Sequence, residues 1–132
     1  MKAKSKRYQI VALPEFSDSR GSLSFIESGS HIPFDIKRIF YLYNVAPGNI
    51  RGGHAHKQLH QFVVCLSGSF CIRINDGLKE VVECLDTPLK GIHIPPMIWA
   101  TVFNFSTDAV CLVLCSDYYK EEDYYRNYNE FI

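Results

Sequence analysis

Two histidines two residues apart, His54 and His56, follow a glycine pair in the stretch Arg51-Gly-Gly-His-Ala-His-Lys57. Residues spaced by two on a strand point to one face, so an extended backbone sets both imidazoles side by side. A reference pKa of ~6.5 lets imidazole take and return a proton near neutral pH, which suits general acid–base work on a ligand held in a cavity. Holding a metal is the rival use, and it needs about three protein donors with lone pairs. His60 and His93 are the remaining candidates, His60 lying four residues beyond His56. A lone histidine in such a setting reads as a hydrogen-bonded core residue. Two on one strand face, flanked by Arg51 and Lys57, read as a site.

The chain around them has 132 residues, room for one domain spanning 1–132, and its 47% apolar and 21% charged composition is that of a globular core. Fourteen basic residues balance fourteen acidic ones, so no net field draws nucleic acid or an anionic membrane, and an anionic ligand must meet a local basic cluster. The five cysteines, Cys65, Cys71, Cys84, Cys111 and Cys115, form no CxxC pair and sit in apolar runs, so they are expected as small buried hydrophobes. No apolar stretch follows the basic opening Met1–Arg7 to make a secretory signal, and no run reaches a membrane span, which together point to the cytoplasm.

The elements that must carry the histidines read as short strands between turn signals. Tyr8–Leu13, Gly21–Ile26, Ile36–Tyr43, Gln61–Ser67, Phe70–Asn75, Lys79–Cys84, Gly91–Ile94, Thr101–Phe105 and Ala109–Ser116 are rich in β-branched and aromatic residues. Gly68 predicts a hairpin between the fourth and fifth of these, and Asn75-Asp-Gly77 one between the fifth and sixth. Regular spacing without an intervening helical pattern argues for an all-β sandwich or barrel. The tail from Lys120 to Phe131 has Tyr124, Tyr125, Tyr128 and Phe131 at helical spacing and is expected as a short helical segment that covers the barrel or a partner.

The histidine stretch resembles the first motif of the cupin superfamily, a small jelly-roll (double-stranded β-helix) barrel. Gly48, His54, His56, Gln61 and Gly68 fall at the spacing G-x5-H-x-H-x(3,4)-E-x6-G, with Gln61 in the glutamate place. The second motif is matched loosely, with Met97 at its glycine and Ala100 at its histidine. An amide and a methyl thus stand where a metal-binding cupin has two donors, and no metal is expected.

From about Ile10 to Phe131 the chain further resembles the WxcM-like nucleotide-sugar 3,4-ketoisomerases. The likeness is carried by Asp18-Ser-Arg-Gly-Ser-Leu23, Ile32-Pro-Phe-Asp-Ile-Lys-Arg38, Arg51-Gly-Gly-His-Ala-His-Lys57, Val64-Cys-Leu-Ser-Gly-Ser69 and Ser116-Asp-Tyr-Tyr119 with the following Asp123-Tyr-Tyr-Arg-Asn-Tyr128. It implies a metal- and cofactor-independent isomerase that moves a ketone from C4 to C3 of TDP-4-oxo-6-deoxyglucose through an enediol or enediolate, for deoxyaminosugars of bacterial surface polysaccharides. It also implies a homodimer that exchanges N-terminal strands.

By that resemblance His54 and His56 are the catalytic pair, with His56 assigned as the base at C3 and His54 as polarising oxygen or returning the proton, an order that the resemblance leaves open to reversal. Arg51 would hold the diphosphate and Arg20 would lie near the sugar. Arg38, Tyr41, Lys57 and Gln61 are further candidate contacts for sugar or nucleotide, and Trp99 either stacks on a ring or fills core. Some members carry histidine or arginine at the place of Ala100, which leaves the configuration at C4 of the product open. Two alternatives remain at this level: a sugar-nucleotide epimerase, which abstracts a proton without relocating the ketone, and a non-catalytic cupin that only binds the sugar nucleotide.

Overall fold

The computed structural model describes residues 7–132, so the opening stretch 1–6 lies outside the described residues. Twelve strands follow in order: β1 (Gln9–Ala12), β2 (Phe16–Asp18), β3 (Gly21–Leu23), β4 (Arg38–Tyr43), β5 (Arg51–His56), β6 (Gln61–Ser67), β7 (Phe70–Asn75), β8 (Glu80–Leu85), β9 (Lys90–Ile94), β10 (Trp99–Phe103), β11 (Val110–Cys115) and β12 (Tyr124–Tyr125). A 3-10 turn (Glu121–Asp123) precedes β12, and one helical turn, α1 (Tyr128–Phe131), follows it. The strands form two antiparallel five-stranded sheets, β1-β9-β6-β11-β4 and β12-β5-β10-β7-β8, with β2 and β3 as a separate hairpin. This layout is the all-β class that the strand pattern predicts and the jelly roll that the cupin resemblance implies.

Alternation decides what faces inward. On β4 partly buried and exposed residues alternate strictly, Arg38, Phe40 and Leu42 turning in and Ile39, Tyr41 and Tyr43 out. The core between the sheets is built from Val63, Cys65, Phe70, Ile72, Ile74, Ile92, Ile94, Cys111 and Val113, all nearly inaccessible to water. β6 is buried on both faces because a second cluster, Leu13, Ile32, Phe62, Val64 and Leu114, covers its outer side. Gly91 lies in this outer layer, where a Cβ would fall 2.3 Å from Phe62 Cζ.

Three expectations change. β6 and β7 do not form a hairpin: they belong to opposite sheets, and Ser67-Gly68-Ser69 is the crossing between them. Gly68 has φ +66° and its Cβ position would sit 2.2 Å from Ser106 Oγ, so glycine is required by a crossing packed on the Ser106–Ala109 loop, not by a hairpin turn. The hairpin at Asn75-Asp-Gly77 does form, with β7 and β8 paired from Phe70↔Leu85 to Asn75↔Glu80.

The tail is not one continuous helix. Tyr124 and Tyr125 lie on a strand, so they face opposite ways, and they separate the 3-10 turn Glu121–Asp123 from the helical turn Tyr128–Phe131. Pairing with β5 outweighs the helical spacing, as tertiary contacts commonly do for a segment too short to be a stable helix alone.

The cysteines divide. Cys65, Cys111 and Cys115 are free and buried, as expected, whereas Cys71 and Cys84 are joined in a disulfide across β7 and β8, where their register makes them direct partners. Among the described residues no helix is long and apolar enough to cross a membrane.

Candidate functional site

The histidine pair owes its direction to the glycines before it. Gly52 and Gly53 have φ of +86° and +82°, and a Cβ on Gly52 would stand 3.0 Å from the Ala100 carbonyl oxygen. Thr101 pairs with Gly52 but Ala100 pairs with His54, so Gly53 is the extra residue of a bulge. A bulge re-aims the side chain that follows it. Cross-strand partners share a face, and His54 therefore points inward beside the Ala100 methyl. His56 points the same way, and its ring centroid is 5.1 Å from that of His54.

The tail closes this face. Tyr124 is the register partner of His56, and its ring packs 4.3 Å from His56 and 4.9 Å from His54. The docking is held from the turn after β5: Lys57 N donates to the Asp123 carbonyl at 2.8 Å, while Gln58 N and Leu59 N donate to the Asp123 carboxylate at 2.9 and 3.2 Å. Arg126 lies over the Tyr124 ring, its Cζ 4.1 Å from the centroid, and Glu121 grips its guanidinium through Nε at 2.6 Å and Nη2 at 2.8 Å. The Tyr119 hydroxyl donates a short bond to the same Glu121 carboxylate.

The facing sheet contributes Arg38, Cys115 and Gln61, which are neighbours in register across β4, β11 and β6. Arg38 packs on the Phe40 and Tyr119 rings, each 5.6 Å from its Cζ. Burial works against its charge, but the Cys115 sulfur and the Tyr124 hydroxyl more than offset that, and its pKa is raised.

Both imidazoles are pushed from 6.5 down to about 4, first by burial. The neighbouring His56 and then Arg126 add to the effect on His54; Arg38 and Arg126 add to it on His56. At neutral pH both rings are therefore neutral and able to accept a proton. Asp123 Oδ2 is 3.3 Å from His56 Nδ1, but outside hydrogen-bond geometry. His56 Nδ1, His56 Nε2 and Arg38 Nε are all buried without a hydrogen-bond partner. Buried polar atoms are rarely left so, and these three, carried by the two facing sheets, are open to a polar partner from outside the chain.

The donor set does not fit a metal ion. Beside the two imidazoles stand the Ala100 methyl and, on the other sheet, the Gln61 amide; among the described residues no cluster of three or more His, Cys, Asp and Glu side chains gathers. His60 and His93 do not join them. They hydrogen-bond to each other at 3.0 Å and both pack against Phe34.

Of the other sequence candidates, Arg38 and Gln61 are thus brought to the site. Arg51 and Tyr41 meet elsewhere, lining a cavity of about 290 Å³ with Asn44 and Asn49 along the edge of β4. Arg20 is at the tip of the β2–β3 hairpin, ion-paired to Asp18 at 2.5 Å. Lys57 turns to the outer face, where Nζ donates to the Glu122 carbonyl at 3.0 Å and lies over Tyr125. Trp99 also faces outward, because alternation on β10 gives the inward place to Ala100, and it packs on Tyr128 and Phe131. Neither Lys57 nor Trp99 contacts the histidine face in this chain. The residues missed from the sequence are Asp123, Tyr124 and Arg126; the run Asp-Tyr-Tyr-Arg was visible as a motif, but nothing local tied it to β5.

The profile of the FdtA family, WxcM-like, C-terminal, matches residues 6–132. The chain belongs to this family. Among its FdtA-family relatives, a TDP-4-oxo-6-deoxy-alpha-D-glucose-3,4-oxoisomerase from Aneurinibacillus thermoaerophilus is 42% identical over 125 residues, which cover 93% of this chain and 88% of that one. The TDP-quinovose 3,4-ketoisomerase WlaRB from Campylobacter jejuni has a crystal structure that superposes with a TM-score of 0.91 at 42% identity, covering 96% of this chain and 97% of that one. A mutant of the 3,4-ketoisomerase QdtA from Thermoanaerobacterium thermosaccharolyticum, crystallised with TDP-4-keto-6-deoxyglucose, superposes with a TM-score of 0.91 at 40% identity, covering 94% and 90%. The chain is an isomerase, and it shares its cupin-like barrel with the two solved ketoisomerases.

Proposed function

We propose that this protein is a sugar-nucleotide 3,4-ketoisomerase acting on TDP-4-oxo-6-deoxyglucose. The observation that carries the proposal is the pair of neutral imidazoles on one inward face, His56 buried with both ring nitrogens unpartnered and His54 half-buried beside it, with the Arg38 guanidinium close by. The reaction needs no oxidant, since the oxidation level moves within one molecule. His56 removes the C3 proton; the C3–H electron pair becomes the C3=C4 bond and the carbonyl pair moves to O4. His54 polarises O4 and takes part in returning a proton to C4, and collapse of the enediolate leaves the ketone at C3. Arg38 offsets the negative charge that develops on oxygen, the kind of fixed charge that lowers such barriers most in a site shielded from water.

Arg51, beside Tyr41, is the group we assign to the diphosphate, where a planar fork matches phosphate oxygens. We further propose a cytoplasmic homodimer with exchanged N-terminal strands. Its support is the edge position of β1, paired here with β9 of its own chain, and the exposed Phe16 and Leu23 of the neighbouring hairpin, which also bears Arg20.

The test is incubation with TDP-4-oxo-6-deoxyglucose in deuterated water, followed by NMR. Deuterium at C4 of a 3-oxo product is expected. Label with the ketone still at C4 would instead indicate epimerisation, and tight nucleotide binding without label would indicate a binding module.

A further inference from the structure

Relocating the ketone moves two kinds of proton, and two imidazoles serve one of them. The carbon-bound proton leaves C3 and another arrives at C4. The oxygen-bound proton must leave O3 and O4 must gain one. A single group that both donates and accepts, placed over adjacent oxygens, suits that second exchange. Ala100 offers nothing there, since its methyl is what faces His54.

Tyr124 does stand there. As register partner of His56 it shares the inward face, and its ring packs against both histidine rings. The Arg38 guanidinium acts on its hydroxyl from the facing sheet, which sets a fixed positive charge beside the phenol oxygen. The ring itself is clamped: Arg126 covers its face at 4.1 Å, and Glu121 fixes Arg126 through two bonds. A tyrosine that merely covered the barrel would need no such support at its edge and face.

We infer that Tyr124 is a third catalytic residue, whose phenol relays the oxygen proton between O4 and O3 of the sugar while the histidines handle the carbon proton. This inference rests on the ketoisomerase reading above. As His56 takes the C3 proton, the Tyr124 O–H bond breaks and O4–H forms. As the ketone forms at C3, the O3–H bond breaks and the proton returns to the phenolate, while imidazolium delivers a proton to C4. Each group ends as it began, and no co-reactant is consumed. Arg126 and Glu121 are positioning residues in this scheme.

The test compares the native chain with Tyr124→Phe and Tyr124→His. Phenylalanine keeps the ring contacts and removes only the hydroxyl. Its kcat should fall by about 100-fold or more, the range seen on removing one such donor, with TDP affinity and KM within about threefold. Histidine, which also donates and accepts, should recover at least tenfold of that loss. A Tyr124→Phe kcat within threefold of the native chain overturns the inference. So does loss of TDP binding by Tyr124→Phe, which would mean that the hydroxyl serves binding or folding instead of proton transfer, and so does Tyr124→His no better than phenylalanine. If the native chain makes no 3-oxo product, it is the ketoisomerase reading that fails, and the two failures are therefore distinct.

Discussion

Acidification separates a buried neutral histidine pair from an ordinary one. With both imidazoles at about 4, about 97% of either ring is still neutral at pH 5.5; rings at the reference ~6.5 would be only ~9% neutral there. The dependence of kcat/KM on pH reports the free enzyme's essential groups. Its acid limb is therefore expected below pH 5, with less than a twofold change between pH 7.5 and 5.5 in initial rates followed by NMR. A tenfold fall across that interval would refute the burial argument and place the essential base in water.

The same shift bears on stability, and the sign follows from proton binding. Between pH 6.5 and 4 the unfolded chain holds protons on His54 and His56 that the folded chain refuses, so the native state loses ground as pH falls through that window. It keeps its full stability above pH 6.5. Fully protonating either ring costs at most about 3 kcal/mol at ~1.36 kcal/mol for each pKa unit. Urea unfolding at pH 7 and pH 4.5 measures it.

Three further outcomes follow from other parts of the molecule. His56→Asn and His54→Asn should each lower kcat by about 10²–10⁴-fold while TDP binding measured by calorimetry stays within threefold; turnover within tenfold of native for both removes them from the chemistry. Gly91→Ala forces a methyl against the fully buried Phe62 ring at 2.3–2.5 Å and the Val63 carbonyl at 2.9 Å, and should cost about 1–3 kcal/mol in urea unfolding without changing KM. Cys84→Ser opens a disulfide that spans 13 residues; an entropic estimate for such a loop is about 3 kcal/mol, read as a lower Tm with kcat unchanged, since β7–β8 lies at the sheet edge away from β12.

What the chain announces locally is its strand alternation and the glycine-histidine motif. Period two is a property of neighbouring residues, so the common face of His54 and His56 could be read from His-Ala-His, and the Asn75-Asp-Gly77 turn from its φ requirements. Only the tertiary structure decides which sheet a strand joins. Gly68 looks like a hairpin glycine until β6 and β7 are seen on opposite sheets, because the same backbone conformation serves a turn and a crossing. Trp99 and Lys57 neighbour site residues in sequence, yet alternation turns both to the outer face. Tyr124 lies 68 residues beyond His56 and reaches it because the β5 edge offers unpaired backbone groups that the tail satisfies. Arg38 comes from the other sheet altogether. A motif on one strand can declare a pair of bases, but the charge beside them and the burial that keeps them neutral exist only once distant segments are packed together.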